Sequence, residues 1–283
     1  MKKTVLSLFI LFFGFTSIFA QETAKEETGP WKKGGHFGFV FAQSAFKNWM
    51  QGGENAMGGN LKVNYDAIYK KDKTDWTTKF IVNYGVSQVG DISKKTDDLF
   101  EVNSIYGRNI KNNWNFTVFG NFKTQFSPGY DYSTSPYTKI SNAFAPAFLS
   151  FGPGISYKPG DNFYINFAPV TSRFIFVTDP ALNAIGAFGV DPGKSSRYEF
   201  GANYQMFFKT NLMKNVSIEN TLNLFSNYLD QPQNIDVDNM FTLRMKVNKF
   251  LSAALNLRSI YDDNTAKRLQ LSEVFGVEFG FDF

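Results

Sequence analysis

The chain has 283 residues, no cysteine and a formal net charge of +4, from 29 Lys and Arg against 25 Asp and Glu. The lack of cysteine excludes disulfide and thiolate chemistry, and a small charge carried by scattered residues excludes a nucleic-acid footprint. Aromatic residues make up 18% of the chain, and 33 residues are Phe, which is more than a soluble domain of this length needs.

The N-terminus has the pattern of a secretory signal peptide. Lys2 and Lys3 form a charged start, residues 5–15 are apolar, and Ala20 is a suitable cleavage position. We therefore expect residues 1–20 to be removed on export and residues 21–33, which are charged and show no period, to form a periplasmic tail. After residue 20 no apolar run reaches the length of a spanning helix, which excludes a helical membrane protein.

From residue 34 to 283 the sequence repeats segments in which apolar or aromatic residues alternate with small or polar ones. A period of two is the side-chain period of a β-strand. Most segments are near the roughly 9–11 residues that a tilted strand needs to cross a bilayer. About twelve can be read, at 36–46, 61–69, 76–86, 100–108, 114–126, 147–157, 163–177, 198–208, 216–224, 241–247, 251–261 and 269–283.

The breaks between segments alternate in length. Short breaks rich in Lys, Asn, Asp and Gly fall at 70–75, 111–113, 159–162, 210–215 and 248–249. Longer ones fall at 47–58, 88–98, 127–146, 178–196, 227–237 and 262–268. This alternation predicts an all-β transmembrane antiparallel barrel with short periplasmic turns and long extracellular loops. A secreted β-sandwich would also alternate within strands, but it gives no reason for the loop pattern.

The last segment is aromatic on one face. Phe279, Phe281 and Phe283 share that face, and Gly280 and Asp282 share the other. In a closed barrel the aromatic face meets lipid and the strand edge pairs with the first strand. The final aromatic residue also resembles the signal that bacterial barrel-assembly machinery recognises, so we expect these Phe residues to serve membrane assembly.

Several short phrases resemble one known family. They are residues 48–55 (NWMQGGEN), 96–98 (TDD), 126–130 (FSPGY), 145–147 (APA), 186–193 (GAFGVDPG) and 261–263 (YDD). Together they are similar to an uncharacterised family of outer-membrane barrels from Bacteroidota, a domain of unknown function. The resemblance implies a barrel in the cell outer membrane, and it brings no substrate and no catalytic residue.

Charged residues on the polar face of the strands are the candidate lumen lining. A charge facing lipid at mid-bilayer costs a few kcal/mol, so these side chains should point inward. A selectivity-setting pore lining and a salt-bridged plug both remain open. The candidates are Lys62, Asp66, Lys79, Glu101, Lys123, Glu199, Glu219, Arg244, Lys246, Arg258 and Glu278, with Arg173 added although the parity shifts after Pro169.

Catalysis is not expected. Barrel enzymes need a nucleophile or a metal with an acid–base partner, usually His, and the one histidine here, His36, opens the first strand. The loops are rich in Asp, but they lack the ligand spacing of a calcium loop, so we predict no metal and no cofactor.

The loops offer the remaining candidates. The segment with Trp49, Gly52, Gly53, Glu54 and Asn55 could fold into the mouth as a constriction. Basic residues of the rim could pair with lipopolysaccharide phosphates; they are Lys94, Lys95, Lys139, Lys194, Arg197, Lys267 and Arg268.

We therefore expect one porin-like barrel in the outer membrane that passes a small polar solute, with lipid, lipopolysaccharide and the assembly machinery as partners. The alternative is a non-conducting barrel whose extracellular loops bind lipopolysaccharide, a surface ligand or a partner protein.

Overall fold

The computed structural model describes residues 29–45 and 54–283. Twelve strands form one closed antiparallel barrel in which each strand pairs with the next barrel strand along the chain and the last pairs with the first. The barrel strands are β1 (Trp31–Ser44), β2 (Ala56–Lys71), β3 (Thr74–Val89), β4 (Ile92–Lys111), β5 (Trp114–Thr124), β8 (Ala147–Gly160), β9 (Phe163–Phe176), β10 (Ser196–Met213), β11 (Val216–Asn227), β12 (Ile235–Lys246), β13 (Leu251–Asp262) and β14 (Ala266–Asp282). The predicted fold class and strand number are confirmed.

Three smaller elements lie between the barrel strands. The connection from β5 to β8 contains a hairpin of β6 (Gly129–Asp131) and β7 (Thr138–Ser141). The connection from β9 to β10 contains the short helix α1 (Pro180–Ala184) and a 3₁₀ turn (Ala187–Gly189). Within the described residues, no helix has the length and apolarity needed to cross a membrane.

The two ends of the barrel differ. At one end, here called the turn end, the strands are joined by the short turns 72–73, 112–113, 161–162, 214–215 and 247–250. β1 begins and β14 ends at this same end. The other end, here called the loop end, carries the connections 90–91, 125–146, 177–195, 228–234 and 263–265, and β1 ends and β2 begins there. The predicted short breaks therefore coincide with the turns.

Two of the predicted long loops are wrong. Residues 88–98 and 262–268 lie mostly in strands, joined by tight turns at 90–91 and 263–265. In β4, Lys94 to Asp98 are polar on both faces, so the period-two signal disappears, yet the backbone continues to pair with β3. Strands can continue to pair beyond the apolar band without an apolar face. The predicted strands are therefore shorter than the observed ones.

The predicted boundaries of the signal peptide and the periplasmic tail fall partly outside the described residues. The predicted signal peptide (1–20) and most of the predicted tail lie outside the described residues. β1 begins at Trp31, so residues 31–33, predicted as tail, belong to the strand. The Trp31 ring lies 5.1 Å from the Tyr69 ring and 5.7 Å from the Trp76 ring, which holds the strand start on the wall.

The barrel wall is apolar outside and polar inside. In β5, Trp114, Phe116 and Val118 are exposed, whereas Asn115 and Thr117 between them are buried. A soluble sandwich has the reverse distribution, with its apolar side chains in the core. The alternating burial thus fixes which face of each strand lines the lumen.

Candidate functional site

The twelve predicted lumen residues all lie inside the barrel wall. Ten of them line cavities in the lumen. The other two, Glu199 and Glu278, are each 1% exposed and lie against the guanidinium groups of Arg173 and Arg244. Arg173 points inward because the pairing of β8 with β9 shifts register between Phe151 and Ile155, which restores the inward parity after Pro169.

A large cavity fills the turn-end half of the lumen. Its volume is about 680 Å³. Of the predicted lumen residues it is lined by Lys62, Asp66, Lys79, Glu219, Arg244, Lys246 and Arg258. A pocket of this size can hold a small organic molecule.

A smaller cavity, of about 210 Å³, fills the loop-end half. Of the predicted lumen residues, Glu101, Lys123, Arg173 and Arg258 line it. Arg258 lines both cavities, so the boundary between the two lies at its level.

Side chains from opposite walls meet at this boundary. Lys123 Nζ on β5 lies 2.7 Å from Asp238 Oδ2 on β12, five strands away around the wall. Arg258 donates to both oxygens of the same carboxylate, at 3.0 and 2.9 Å. Lys79 Nζ on β3 lies 3.9 Å from the centre of the Phe207 ring on β10, again five strands away. We call Lys79, Lys123, Phe207, Asp238 and Arg258 the crossing layer, because they span the lumen between the two cavities.

A second ionic cluster lies on the loop-end side of the crossing layer. Arg173 contacts Glu199 at 3.5 Å, Asp236 at 2.5 Å and Asp262 at 3.6 Å. Its guanidinium carbon also lies 5.1 Å from the Phe148 ring and 4.8 Å from the Phe225 ring. The aromatic faces and the three carboxylates together hold this cation rigidly.

The connection 177–195 folds inward at the loop end, beside this cluster. Ile175, Val177, Leu182 and Val190 form a buried apolar core with Ala145, and Phe188 packs against it and lines the loop-end cavity. α1 begins at its N-cap Asp179, whose carboxylate accepts from the backbone N–H groups of Ala181 and Leu182. The sequence did not predict that this connection folds inward. Its apolar residues have no period, so the pattern does not indicate which way their side chains point.

Asp179 also ties the two long connections together. Its Oδ2 accepts hydrogen bonds from Lys139 Nζ at 2.6 Å and from Asn142 at 2.8 Å, and both donors lie in the β5–β8 connection. These hydrogen bonds from Lys139 and Asn142 hold the pKa of the Asp179 carboxyl well below its usual range. The connections 125–146 and 177–195 therefore form one packed unit.

Only the end of the predicted constriction segment lies among the described residues. Trp49, Gly52 and Gly53 lie outside the described residues. Of the rest of the segment, Asn55 accepts a hydrogen bond from the Gly90 N–H at 3.1 Å, and a Cβ atom at Gly90 would lie 2.4 Å from Glu54 Oε1. Glu54 and Asn55 are therefore placed beside the β3–β4 turn, whereas Phe188 lies at the mouth.

The turn-end cavity has its own ion pairs. Arg244 Nε donates to Glu278 at 2.8 Å, and His36 Nε2 lies 3.2 Å from the same carboxylate. His36 Nδ1 lies 2.7 Å from Asp282, which also accepts from Lys246 at 2.8 Å. Both ring nitrogens of the single histidine thus face carboxylates.

Three carboxylates come together at the loop end. Oxygens of Asp236, Asp262 and Asp263 lie within 4.8 Å of one another, a spacing that a metal ion could use. Arg173 already contacts Asp236 and Asp262, and Asp263 accepts from Asn234 at 2.7 Å. The arginine therefore balances part of the negative charge of Asp236 and Asp262.

Comparison with known proteins finds one matching family model and several similar solved structures. A family model described as a protein of unknown function, DUF3078, matches residues 41–130. The expected similarity to an uncharacterised family is confirmed to that extent, and a Bacteroidota origin stays a prediction. No curated protein matches the sequence.

Solved structures with a similar fold are outer-membrane proteins of low sequence identity. The COG4313 outer membrane channel from Pseudomonas putida F1 is 8% identical, with a TM-score of 0.38 over 92% of this chain and 99% of that one. The translocator domain of the autotransporter NalP from Neisseria meningitidis is 7% identical, with a TM-score of 0.36 over 99% and 98%. The NanC porin is 12% identical, with a TM-score of 0.36 over 88% and 98%.

Proposed function

We propose that the chain is an outer-membrane barrel that passes a small polar solute through its lumen and that the state described here is closed. The observation that carries the proposal is the pair of polar cavities that occupy the two halves of the lumen, separated by the crossing layer. A barrel filled only for stability would not need a cavity of about 680 Å³ with charged walls.

The outer surface supports a place in the membrane. Phe116, Phe167 and Phe275 are 59%, 50% and 59% exposed on the outer face of β5, β9 and β14. Apolar side chains in such number on a closed wall match the lipid-facing band of an outer-membrane barrel. The predicted signal peptide would supply the export that this location requires.

The crossing layer supports gating by side-chain movement. Lys79 and Lys123 are long, flexible side chains. Lys123 meets Asp238 across the lumen, and Lys79, which pairs with Asp66 on the neighbouring strand, reaches the Phe207 ring across it. The two cavities would join if Lys123 left Asp238 and Lys79 left the Phe207 ring. The backbone of the barrel can stay closed while this happens.

The interior does not support a catalytic role. His36 faces Glu278 and Asp282 with its two ring nitrogens, so neither is free to activate a nucleophile. We therefore assign the barrel to passage rather than to chemistry.

Single-channel recording in a planar bilayer tests the proposal. The refolded mature chain should give low or intermittent current, and Asp238→Asn, which removes the shared partner of Lys123 and Arg258, should increase the time spent open. Lys73→Gln, in the exposed turn 72–73, is the control and should behave as the unmodified chain. A heat-modifiability gel verifies folding, and silence from correctly folded unmodified chain and Asp238→Asn alike would reject passage.

A second candidate is a non-conducting barrel that presents its loop end to a partner. The packed unit formed by the connections 125–146 and 177–195 favours it, since loops with their own apolar core form a defined surface. Lipopolysaccharide is the less favoured ligand, because Lys95, Lys139, Lys194 and Arg197 of the basic rim are already bonded to Asp98, Asp179, Asp191 and Glu199. Replacing 180–193 by a short Gly-Ser linker should abolish surface binding in this case and leave the barrel folded.

A further inference from the structure

The turn-end cavity carries more positive than negative charge. Seven lysine or arginine side chains line it, against four acidic ones. Counting also Glu278 and Asp238, which lie against the cavity arginines, leaves a surplus of one positive charge. This surplus of positive charge is small, so the position of the unpaired cation determines whether it could bind an anion.

Most of these cations have an acidic partner. The pairs are Lys79 with Asp66, Lys209 with Glu219, Lys246 with Asp282, Arg244 with Glu278 and Arg258 with Asp238. Lys214 lies in the exposed turn 214–215. Lys62 is half-buried on the cavity wall, and within the described residues no hydrogen bond or ion pair reaches its amine.

Lys62 shares its surroundings with the two arginines. Asp97, Glu278, Arg244 and Arg258 are the charged groups that act on its amine. Glu278 is 1% exposed and bonded to Arg244, whereas Asp97 accepts a hydrogen bond from the neutral amide of Asn60 at 3.2 Å. Among the described residues the amine is thus in direct contact with no carboxylate, and a partly buried cation is stabilised by such a contact.

We infer that the turn-end cavity binds a small organic anion, with Lys62 as its principal contact and Arg244 and Arg258 beside it. The cavity is large enough for a molecule of sugar size, and Phe207 and Met240 on its wall provide apolar surface for the rest of such a ligand. Carboxylate and phosphate share the chemistry that this site recognises. The inference deepens the proposed function, since it names the class of solute that would pass.

Equilibrium binding to the refolded mature chain in detergent tests the inference without requiring current. The probes share one six-carbon scaffold: D-gluconate, glucose 6-phosphate, uncharged D-glucose and cationic D-glucosamine. Isothermal titration should show binding of at least one anion and much weaker binding of glucose and glucosamine. The two anions distinguish a carboxylate site from a phosphate site.

The variants locate the site. Lys62→Met should weaken binding of the preferred anion by about tenfold or more, as expected when a charge-assisted hydrogen bond is lost, and Lys62→Arg should restore most of it. Lys73→Met, an exposed lysine at the same end, is the matched control and should leave binding unchanged. Equal binding of glucose and the anions, or no effect of Lys62→Met, would overturn the inference.

The outcomes separate the two proposals. Anion binding that depends on Lys62 in a barrel that never conducts would sustain the site and reject passage. Current with equal permeability to the anions, glucose and glucosamine, together with no anion binding, would sustain passage and reject the site.

Discussion

Glu278 on β14 accepts a hydrogen bond of 2.8 Å from Nε of Arg244 on β12, two strands away along the lumen wall. The carboxylate side chain is 1% exposed and the arginine 15%. Removing one partner of such a pair leaves the other charge buried without compensation. We expect Glu278→Gln to lower the free energy of unfolding by about 3–5 kcal/mol.

Guanidinium unfolding in detergent, followed by tryptophan fluorescence, measures this effect. Glu219→Gln is the matched control, because its partner Lys209 is 51% exposed and the pair should be worth about 0–1 kcal/mol. Equal losses for the two variants would show that burial does not govern the strength of the lumen ion pairs.

Gly201 is a position where the wall has no room for a side chain. A Cβ atom there would lie 1.9 Å from the carbonyl oxygen of Ser226 on β11, whereas at Gly120 on β5 it would meet nothing within 4 Å. We expect Gly201→Ala to cost about 1–3 kcal/mol of folding free energy, because backbone atoms must move to accept the methyl group. Gly120→Ala should be close to neutral in the same unfolding measurement, and similar losses for both would contradict the close approach.

The last residue completes the closure of the barrel. Phe283 and Gly35 exchange two backbone hydrogen bonds, of 2.7 and 3.0 Å, and the Phe283 ring stacks on Tyr65 with centroids 6.4 Å apart. Phe283→Ser should therefore lower the yield of folded barrel. If the residue is also an assembly signal, the loss should be larger with purified assembly machinery than in spontaneous folding into detergent.

The control for this prediction is Phe275→Ser, on the outer face of the same strand. It removes an exposed aromatic side chain without touching the closure. An equal loss in assisted and spontaneous folding for Phe283→Ser would assign the residue to closure alone.

The loop end should loosen at low pH. Hydrogen bonds from Lys139 and Asn142 hold the pKa of Asp179 below its ordinary value of 3.8, so the folded loop favours the ionised carboxylate. A lowered pKa gives stabilisation that is complete above the ordinary value and is lost as the pH falls through the lowered one. The protection of 177–195 against hydrogen exchange, expressed relative to the intrinsic amide exchange rate at each pH, should therefore be full at pH 7 and should begin to fall near pH 3.

Asp179→Asn should lower the protection of 177–195 already at pH 7, because the amide has no negative charge to pair with Lys139. Asp191→Asn is the control, since Asp191 pairs only with the exposed Lys194. Exchange that is unchanged in Asp179→Asn at neutral pH would remove the carboxylate as the tie between the two loops.

The strand number and the inward direction of the charged residues could be predicted because both depend on the period of two. Charge on the lipid face is so costly that Glu199 and Glu278 could be placed inside from parity alone. The inward direction of Arg173 depends on the register shift near Pro169. The residue types show an interruption of the alternation there, but they do not show its direction.

The partners of those charges could not be predicted. Lys123 and Asp238 are 115 residues apart and meet only because the sheet closes. No role was predicted for Phe148 and Phe207, which pack inside the barrel beside Arg173 and Lys79. Cation–π contacts with Lys79 and Arg173 make these inward aromatic residues favourable. Such contacts cannot be predicted from the residue pattern.

The long β3–β4 hairpin has a consequence for how the barrel would open. Beyond the wall it supports the neighbouring connection: Lys95 donates from Nζ to Asp98, Gln125 and the Ser127 carbonyl, and its N–H donates to the Tyr132 hydroxyl. Lys95 on one side and Asp179 on the other therefore tie the connections 125–146 and 177–195 in place. Transport would then be timed by rotation of lysine side chains, and single-channel records should show rapid flicker rather than long, discrete closures.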